Sequence, residues 1–370
     1  THVPMALLRG YGGGHDLQHW LNDYIFPAEA RLDDRCVAAG TALGLAEMIA
    51  TGTTCIADMY MFTDAVAQEV VSAGLSANLS CGGVLFDPVF DPKTCHDCVA
   101  QEALAQRWHG YGDGQIRFDA SIHAEYTSRS ELWKWTADFA KANGLGMHVH
   151  ISETRKEHAE CIQRHGKTPV QTLDRYGVWD VRGIAAHCVY TTAEDWAILA
   201  AKGVSAVHNP CSNLKLGSGI APVPAMKAAG VNVCLGTDGV SSNNNHDMFE
   251  EMKLAAILHN GAACDPLALG SWDALRMATV NGAAALGRKT GRIEPGYDAD
   301  LILVDFSHLN LFPCHDPVSN LVYAAHGGDV CMNMARGRVI YKDGDFLTID
   351  LEQVKREVAN YAVPLLFGTK

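Results

Sequence analysis

Residues 182–210, "RGIAAHCVYTTAEDWAILAAKGVSAVHNP", decide the reading of the fold. An apolar run (182–190) leads into a helix-like segment (192–202), and a second apolar run follows (203–210). Neither run alternates polar with apolar residues, so each reads as a strand covered on both faces. Two such strands joined through a helix run parallel. The same unit recurs on either side. Further apolar runs occupy 53–60, 75–86, 115–124, 145–152 and 231–239, with helix-like patterns at 34–50, 130–143, 154–165 and 222–229. With the opening "THVPMALL" the chain offers eight strand-then-helix units, which predicts an α/β fold, a closed (β/α)8 TIM barrel. The rival is an open doubly wound sheet. It wants a G-x-G-x-x-G phosphate loop after an early strand, and "GYGGGHD" (10–16) lacks that spacing.

After residue 290 the texture changes. "TGRIEPGYDADLILVD" (290–305) and "VCMNMARGRVIYKDGDFL" (330–347) read as short strands joined by Gly/Asp turns, with "KDGD" a hairpin signal. A helix, "DLEQVKREVANYA" (350–362), follows. The expected division is a barrel over 1–290 and, over 291–370, the C-terminal part of a small composite β-sandwich domain plus a terminal helix. The chain opens inside a strand end and without methionine, so the N-terminal part of that small domain is expected before Thr1.

The 370 residues are 48% hydrophobic and carry a formal net charge of −13, which argues against non-specific binding to nucleic acid or anionic membranes. Charges recur throughout, leaving no run long enough for a transmembrane helix. The twelve cysteines are scattered and mostly lie in apolar runs, as expected of buried free thiols in a reducing, cytoplasmic setting. Cys95 and Cys98 have C-x-x-C spacing but no second pair, so a structural zinc site is disfavoured.

In such a barrel the chemistry sits at the C-terminal ends of the strands. The polar residues at those ends are His2, His123, His150 with Glu153, His187, His208 and Asp238. Side chains two apart share a face, so His148 and His150 point into the barrel if Met147 and Val149 point to the helices. Asn232, Cys234 and Gly236 share the parity of Asp238 and leave it room to reach the axis. A carboxylate buried among imidazoles needs its charge compensated, and a divalent cation would do so. Taken singly, each histidine is more often a hydrogen-bonded structural residue. His148 reads as packing beneath the site, His208 as a turn holder, and His15, His19, His96 and His109 as polar surface.

These segments carry a resemblance. "THVPMALLRGY" (1–11), "WLNDYIFPAE" (20–29), "HVHISET" (148–154), "IAAHCVY" (184–190), "HNPCSNLKLGSGIAPVP" (208–224), "GTDGVSSNNNHDMFEEMK" (236–253) and "HDPVSNLVYAA" (315–325) are similar to the amidohydrolase superfamily. Within it they resemble the 5-methylthioadenosine/S-adenosylhomocysteine deaminase family. The resemblance implies a metal held by His2, His150, Asp238 and a histidine expected immediately before Thr1. It implies Glu153 as the proton-transferring acid and His187 beside the reacting ring, with Asp238 also taking a proton. His123 would face substrate, Trp20 would lie over the nucleoside, and Glu29 would bind the ribose hydroxyls. Binuclear members bridge two metals with a carboxylated lysine from the fourth strand; "RFDASIHA" (117–124) has none, so one metal is expected, zinc before Fe2+ or Mn2+.

The implied activity is hydrolytic deamination of an adenine nucleoside, namely 5-methylthioadenosine, S-adenosylhomocysteine or adenosine. The alternatives are deamination or dechlorination of guanine or a triazine, and an inactive binding protein on the same fold. The implied partner is a small-molecule substrate, with homo-oligomerisation compatible. A homocysteine carboxylate wants an arginine fork, and Lys93 is the only Lys or Arg between residues 82 and 106, which weighs against S-adenosylhomocysteine. His246, where the family more often has an apolar residue, is a departure.

Overall fold

The order of elements follows from where apolar runs meet helix caps. The computed structural model describes residues 1–15 and 17–368. Parallel strands β1 (Cys55–Met59), β2 (Ser76–Ser80) and β3 (Ile116–Phe118) form one ladder; β4 (Ala120–Ala124), β5 (Met147–Ile151), β6 (Gly183–His187), β7 (Ser205–His208) and β8 (Asn232–Leu235) form another. β3 and β4 are two halves of one stave, interrupted at Asp119. The amide of Asp119 donates to Leu79 O (2.9 Å), while Ala120 N donates to Gly146 O (2.9 Å). The buried Asp119 carboxylate accepts from Arg182 and from Asn78 Nδ2 (2.8 Å), which turns the strand at this point.

The staves therefore run in chain order around the barrel. Thr1 lies where the arc returns on itself: its carbonyl accepts from Met59 N (3.1 Å) and its hydroxyl donates to Asp238 O, just past β8 (2.9 Å). Among the described residues no ladder closes the ring between β8 and β1.

Asp34–Ala50 begins at the N-cap Asp33, whose side chain accepts from Cys36 N (2.8 Å). It runs against Val3–Leu8 so closely that a Cβ at Gly40 would come within 2.6 Å of Pro4 O. That contact fixes the chain directly after His2. Ser130–Asn143 ends at Gly144 with φ 65°, a left-handed cap. On β5, Met147, Val149 and Ile151 pack into the outer apolar core, while His148 and His150 share the inner face with ring centroids 6.2 Å apart.

Beyond the barrel, β9 (Leu301–Val304), β10 (Val330–Ala335), β11 (Arg338–Lys342) and β12 (Asp345–Phe346) form an antiparallel sheet in the order β12-β11-β10-β9. The "KDGD" hairpin is present, with Lys342 paired to Asp345. The last helical stretch, Leu351–Phe367, returns to Asp34–Ala50 through Arg35–Glu357 (2.8 Å). All cysteines are free, and Cys95 and Cys98 sit at the start of the helix His96–Trp108.

Candidate active site

The strand ends bring four imidazoles and two carboxylates together. His2 Nε2 lies 3.3 Å from Asp238 Oδ1. The His150 ring stands 5.4 Å from His2, 4.9 Å from His123 and 5.6 Å from His187, centroid to centroid. His187 Nε2 faces Glu153 Oε2 at 3.8 Å. Ser152, His187, Cys188 and Asp238 all have φ between 48° and 74°, a left-handed conformation that costs a non-glycine residue about 1–3 kcal/mol. These residues turn the chain sharply at the end of a stave and aim their neighbours inward.

Each ring is oriented through its far nitrogen. His2 Nδ1 donates to Met59 O (2.5 Å) and His150 Nδ1 to His123 O (2.7 Å), which turns both Nε2 atoms inward, that of His2 onto Asp238 Oδ1. Asp238 Oδ2 accepts from Ser212 (2.6 Å) and Ser242 (2.9 Å), so Oδ1 is the oxygen turned to His2. Two inward-turned imidazole nitrogens and one oriented carboxylate oxygen are the donor types a zinc-like divalent ion takes, and in that respect the residues fit. Among the described residues no three His, Cys, Asp or Glu side chains close on an ion by themselves.

Burial dominates the ionisation of this group. It pushes the Glu153 carboxyl above its usual range, with Asp238 adding to the effect. It drives His150 well below the ordinary imidazole value, aided by His123 and His2, and brings His123 down to about 4. Burial acts to raise Asp238 too, but its hydrogen bond and charge contact with His2 hold it well below the carboxylate range. Burial would also lower His187, yet Glu153, Asp238 and Asn213 together leave it raised. The site thus holds one carboxyl pushed towards its protonated form beside one pushed towards its ionised form, the pairing that acid and base roles need.

Glu29 is buried and accepts from Tyr60 OH (2.6 Å), whose ring lies 6.3 Å from His2. That puts Glu29 at the rim of the imidazole group. Trp20 is buried in the apolar core, its indole donating to Tyr11 O (3.4 Å). His148 lies beneath His150, with Nδ1 3.4 Å from Ser80 Oγ. His246 is buried behind Thr1, its Nε2 3.4 Å from Thr1 Oγ1. A cavity of about 630 Å³ touches His2, His148, His150, His187 and Asp238 and continues past Ile56 and Cys234 to Ile302. It is the gap between β1 and β8 on the inner side of the imidazoles; Glu153, His123 and Glu29 do not line it.

His208 faces outward from β7 to the helix Met248–Ala263, its Nε2 3.2 Å from His259 Nε2. Burial lowers both, His259 to about 4. The unfolded rings protonate near pH 6.5 while the folded ones do not, so stability falls as pH drops from about 6.5 towards 4. His259→Gln is expected to flatten that part of the decline, read as melting temperature at pH 7 and pH 5. An unchanged pH dependence would remove the pair from the acid response.

Four contributors lack a periodic sequence signal: Ser212, Asn213, Ser218 and Glu157. Asn213 Oδ1 accepts from His187 Nδ1 (2.8 Å), and Ser218 Oγ donates to Glu153 Oε1 (3.2 Å). Glu157 accepts from the amides of Ser152 and Glu153 (both 2.7 Å); burial and the neighbouring Glu153 push it up to about 7. The Ser/Asn-rich run "HNPCSNLKLGSG" (208–219) is the one feature that could have pointed to the first three.

Residues 1–340 match the amidohydrolase family. A 5-methylthioadenosine/S-adenosylhomocysteine deaminase of Moorella thermoacetica is 44% identical over 360 residues, covering 97% of this chain and 83% of that protein. A 5'-deoxyadenosine deaminase of Methanosarcina mazei is 42% identical, covering 99% and 84%. An adenosine deaminase from Xanthomonas campestris, solved with bound zinc, superposes with a TM-score of 0.93 at 34% identity, over 98% of this chain and 83% of the other. An atrazine chlorohydrolase from Arthrobacter aurescens TC1 superposes at 0.90 with 22% identity, over 99% and 86%, a likeness of fold alone.

Proposed function

The chain belongs to the amidohydrolase family, and from that premise we propose that it is a metal-dependent hydrolase that deaminates adenine nucleosides at C6. The observation that carries this reading is the pairing at the strand ends. A carboxyl with a raised pKa, Glu153, stands beside His187, and an ionised carboxylate, Asp238, stands beside His2. The relatives named above act on adenine nucleosides by their names, and a solved neighbour carries zinc.

In this reading His2, His150 and Asp238 hold a single divalent ion, which we assign as zinc. When bound, it supplies Lewis acidity that brings the pKa of a water from about 15.7 to about 7. Glu153 gives its proton to the ring nitrogen beside C6, making that carbon electrophilic. Asp238 accepts one proton of the attacking water and passes it to the amino group. The C6–N bond then breaks with its electron pair on nitrogen, and ammonia leaves. The second water proton returns to Glu153 as the C6 carbonyl forms, so nucleoside and water give the inosine analogue and ammonia. His187, held by Asn213, polarises the oxygen that becomes the carbonyl.

Glu29 is assigned to the ribose hydroxyls. Glu29→Gln is expected to raise KM for nucleosides roughly ten- to a hundredfold, the cost of a hydrogen bond to a charged group, and to leave free adenine unaffected. Equal effects on adenosine and adenine would take Glu29 away from the ribose. We assign the loop after β2 to the 5' end; its Phe86 and Val89 are exposed. Arg129 is committed to Glu131 (3.1 Å) and Asp87 O (3.4 Å). Those contacts favour an uncharged 5' group, as in 5-methylthioadenosine or 5'-deoxyadenosine, over a homocysteine tail. The test is ammonia release by the zinc-loaded protein across adenine nucleosides, S-adenosylhomocysteine, guanine and triazines. Turnover confined to guanine or a triazine would overturn the nucleoside reading.

A further inference from the structure

Three hydrogen bonds from one turn converge on the reacting groups. After β7 the chain forms the short helix Pro210–Lys215 and a turn reaching Gly219. From this stretch Ser212 donates to Asp238 Oδ2 (2.6 Å), Asn213 accepts from His187 Nδ1 (2.8 Å) and Ser218 donates to Glu153 Oε1 (3.2 Å). The turn is itself held. Ser218 N donates to Asn213 O (2.8 Å), Ser218 O accepts from Tyr190 OH (2.7 Å), and Lys215 Nζ donates to Ser241 O on the Asp238 loop (2.9 Å). Gly219 has φ 129°, and a Cβ there would stand 3.0 Å from Val189 Cγ1. The chain therefore passes Ser218 along a fixed path.

Resting on the deaminase reading, we propose that Ser218 is a positioning residue that selects which oxygen of Glu153 carries the working proton. Its hydroxyl occupies Oε1 as a donor, so the acid proton sits on Oε2, the oxygen 3.8 Å from His187 Nε2. In the transfer the Oε2–H bond breaks, its electrons stay on the carboxylate, and the proton bonds to the ring nitrogen. The bond from Ser218 then steadies the anion that remains, and the proton returned later restores the acid. The other groups facing Glu153 are His187 on β6, Asp238 past β8, His2 at the chain start, and Glu157 and Tyr126 from the adjoining helix and turn. Of that set, Ser218 is the group whose hydroxyl hydrogen-bonds the Glu153 carboxylate.

The experiment compares Ser218→Ala, Glu153→Gln and the double variant with the parent, all zinc-loaded. It reads kcat, KM and the pH profile of ammonia release from 5-methylthioadenosine, with thermal unfolding as the check on folding. Ser218→Ala is expected to lower kcat about tenfold with little change in KM. It is also expected to move the basic limb of the profile upward, because the anion loses a donor. On the Glu153→Gln background it is expected to cost nothing further, since it acts through that carboxyl. A kcat within roughly twofold of the parent with an unmoved limb overturns the inference, and so does an equal loss on the Glu153→Gln background. A parent that releases no ammonia from any adenine nucleoside removes the deaminase reading and Ser218 with it. An active parent matched by Ser218→Ala removes Ser218 alone.

Discussion

Glu153→Gln is expected to lower turnover about 10²–10⁴-fold while leaving metal content unchanged. The replacement has the same shape. Its carbonyl can still accept from Ser218, and its backbone amide stays on Glu157. What it cannot do is release a proton at neutral pH. Because burial raises the Glu153 carboxyl, the parent keeps the acid protonated above the ordinary range and loses activity as pH climbs through that raised value. The variant should lose this basic limb altogether. KM is expected to stay close to that of the parent, since the loss falls in the transition state. Elemental analysis with steady-state kinetics checks the result, and an unchanged kcat would take Glu153 out of the chemistry.

Asp238→Ala is expected to cost more, because the proposed mechanism gives one carboxylate two purposes. It is paired with His2 at 3.3 Å, and it is held in that orientation by Ser212 and Ser242. Truncation removes the proposed oxygen ligand, strips His2 Nε2 of its acidic partner and leaves Ser212 Oγ without its acceptor, while Ser242 Oγ falls back on Gly239 O (2.9 Å). Loss of the proton acceptor alone is worth about 10²–10⁴-fold, and loss of the ion adds to it. Turnover should fall to background with substoichiometric metal by elemental analysis. Asp238→Asn separates the two roles: it retains an oxygen that can ligate but accepts no proton, so metal should be partly kept while turnover stays near background. Full occupancy with parental turnover in the alanine variant would contradict the assignment.

The barrel was legible because its signal is local. The 182–210 unit shows two unalternating apolar runs and a helix between them, and β6, the helix Ala193–Lys202 and β7 lie within those bounds. The helix-like patterns at 34–50 and 130–143 coincide with Asp34–Ala50 and Ser130–Asn143; in the structure one starts at an Asp N-cap and the other ends at a left-handed glycine. The break at Asp119 was not, because it depends on Arg182 and Asn78, which are distant in sequence. The site was half legible. Histidines at successive strand ends announce themselves through strand parity. Ser212, Asn213 and Ser218 do not, since they act from a turn whose path has no period. His208 carried the same strand-end signal as His187, yet it meets His259, a partner on a helix that no spacing rule connects to it.

The left-handed residues at 152, 187, 188 and 238 have a consequence for anyone hardening this enzyme against heat. Glycine at Ser152 or Cys188 would relieve the left-handed backbone, but both side chains are buried and Ser152 Oγ lies 3.1 Å from His158 Nδ1, so the relief is offset by lost contacts and a freer unfolded chain. The same changes would slacken the corners that aim Glu153 and His187. Stabilising changes are therefore better sought away from these four corners, and a screen that scores turnover alongside survival would expose any that loosen them.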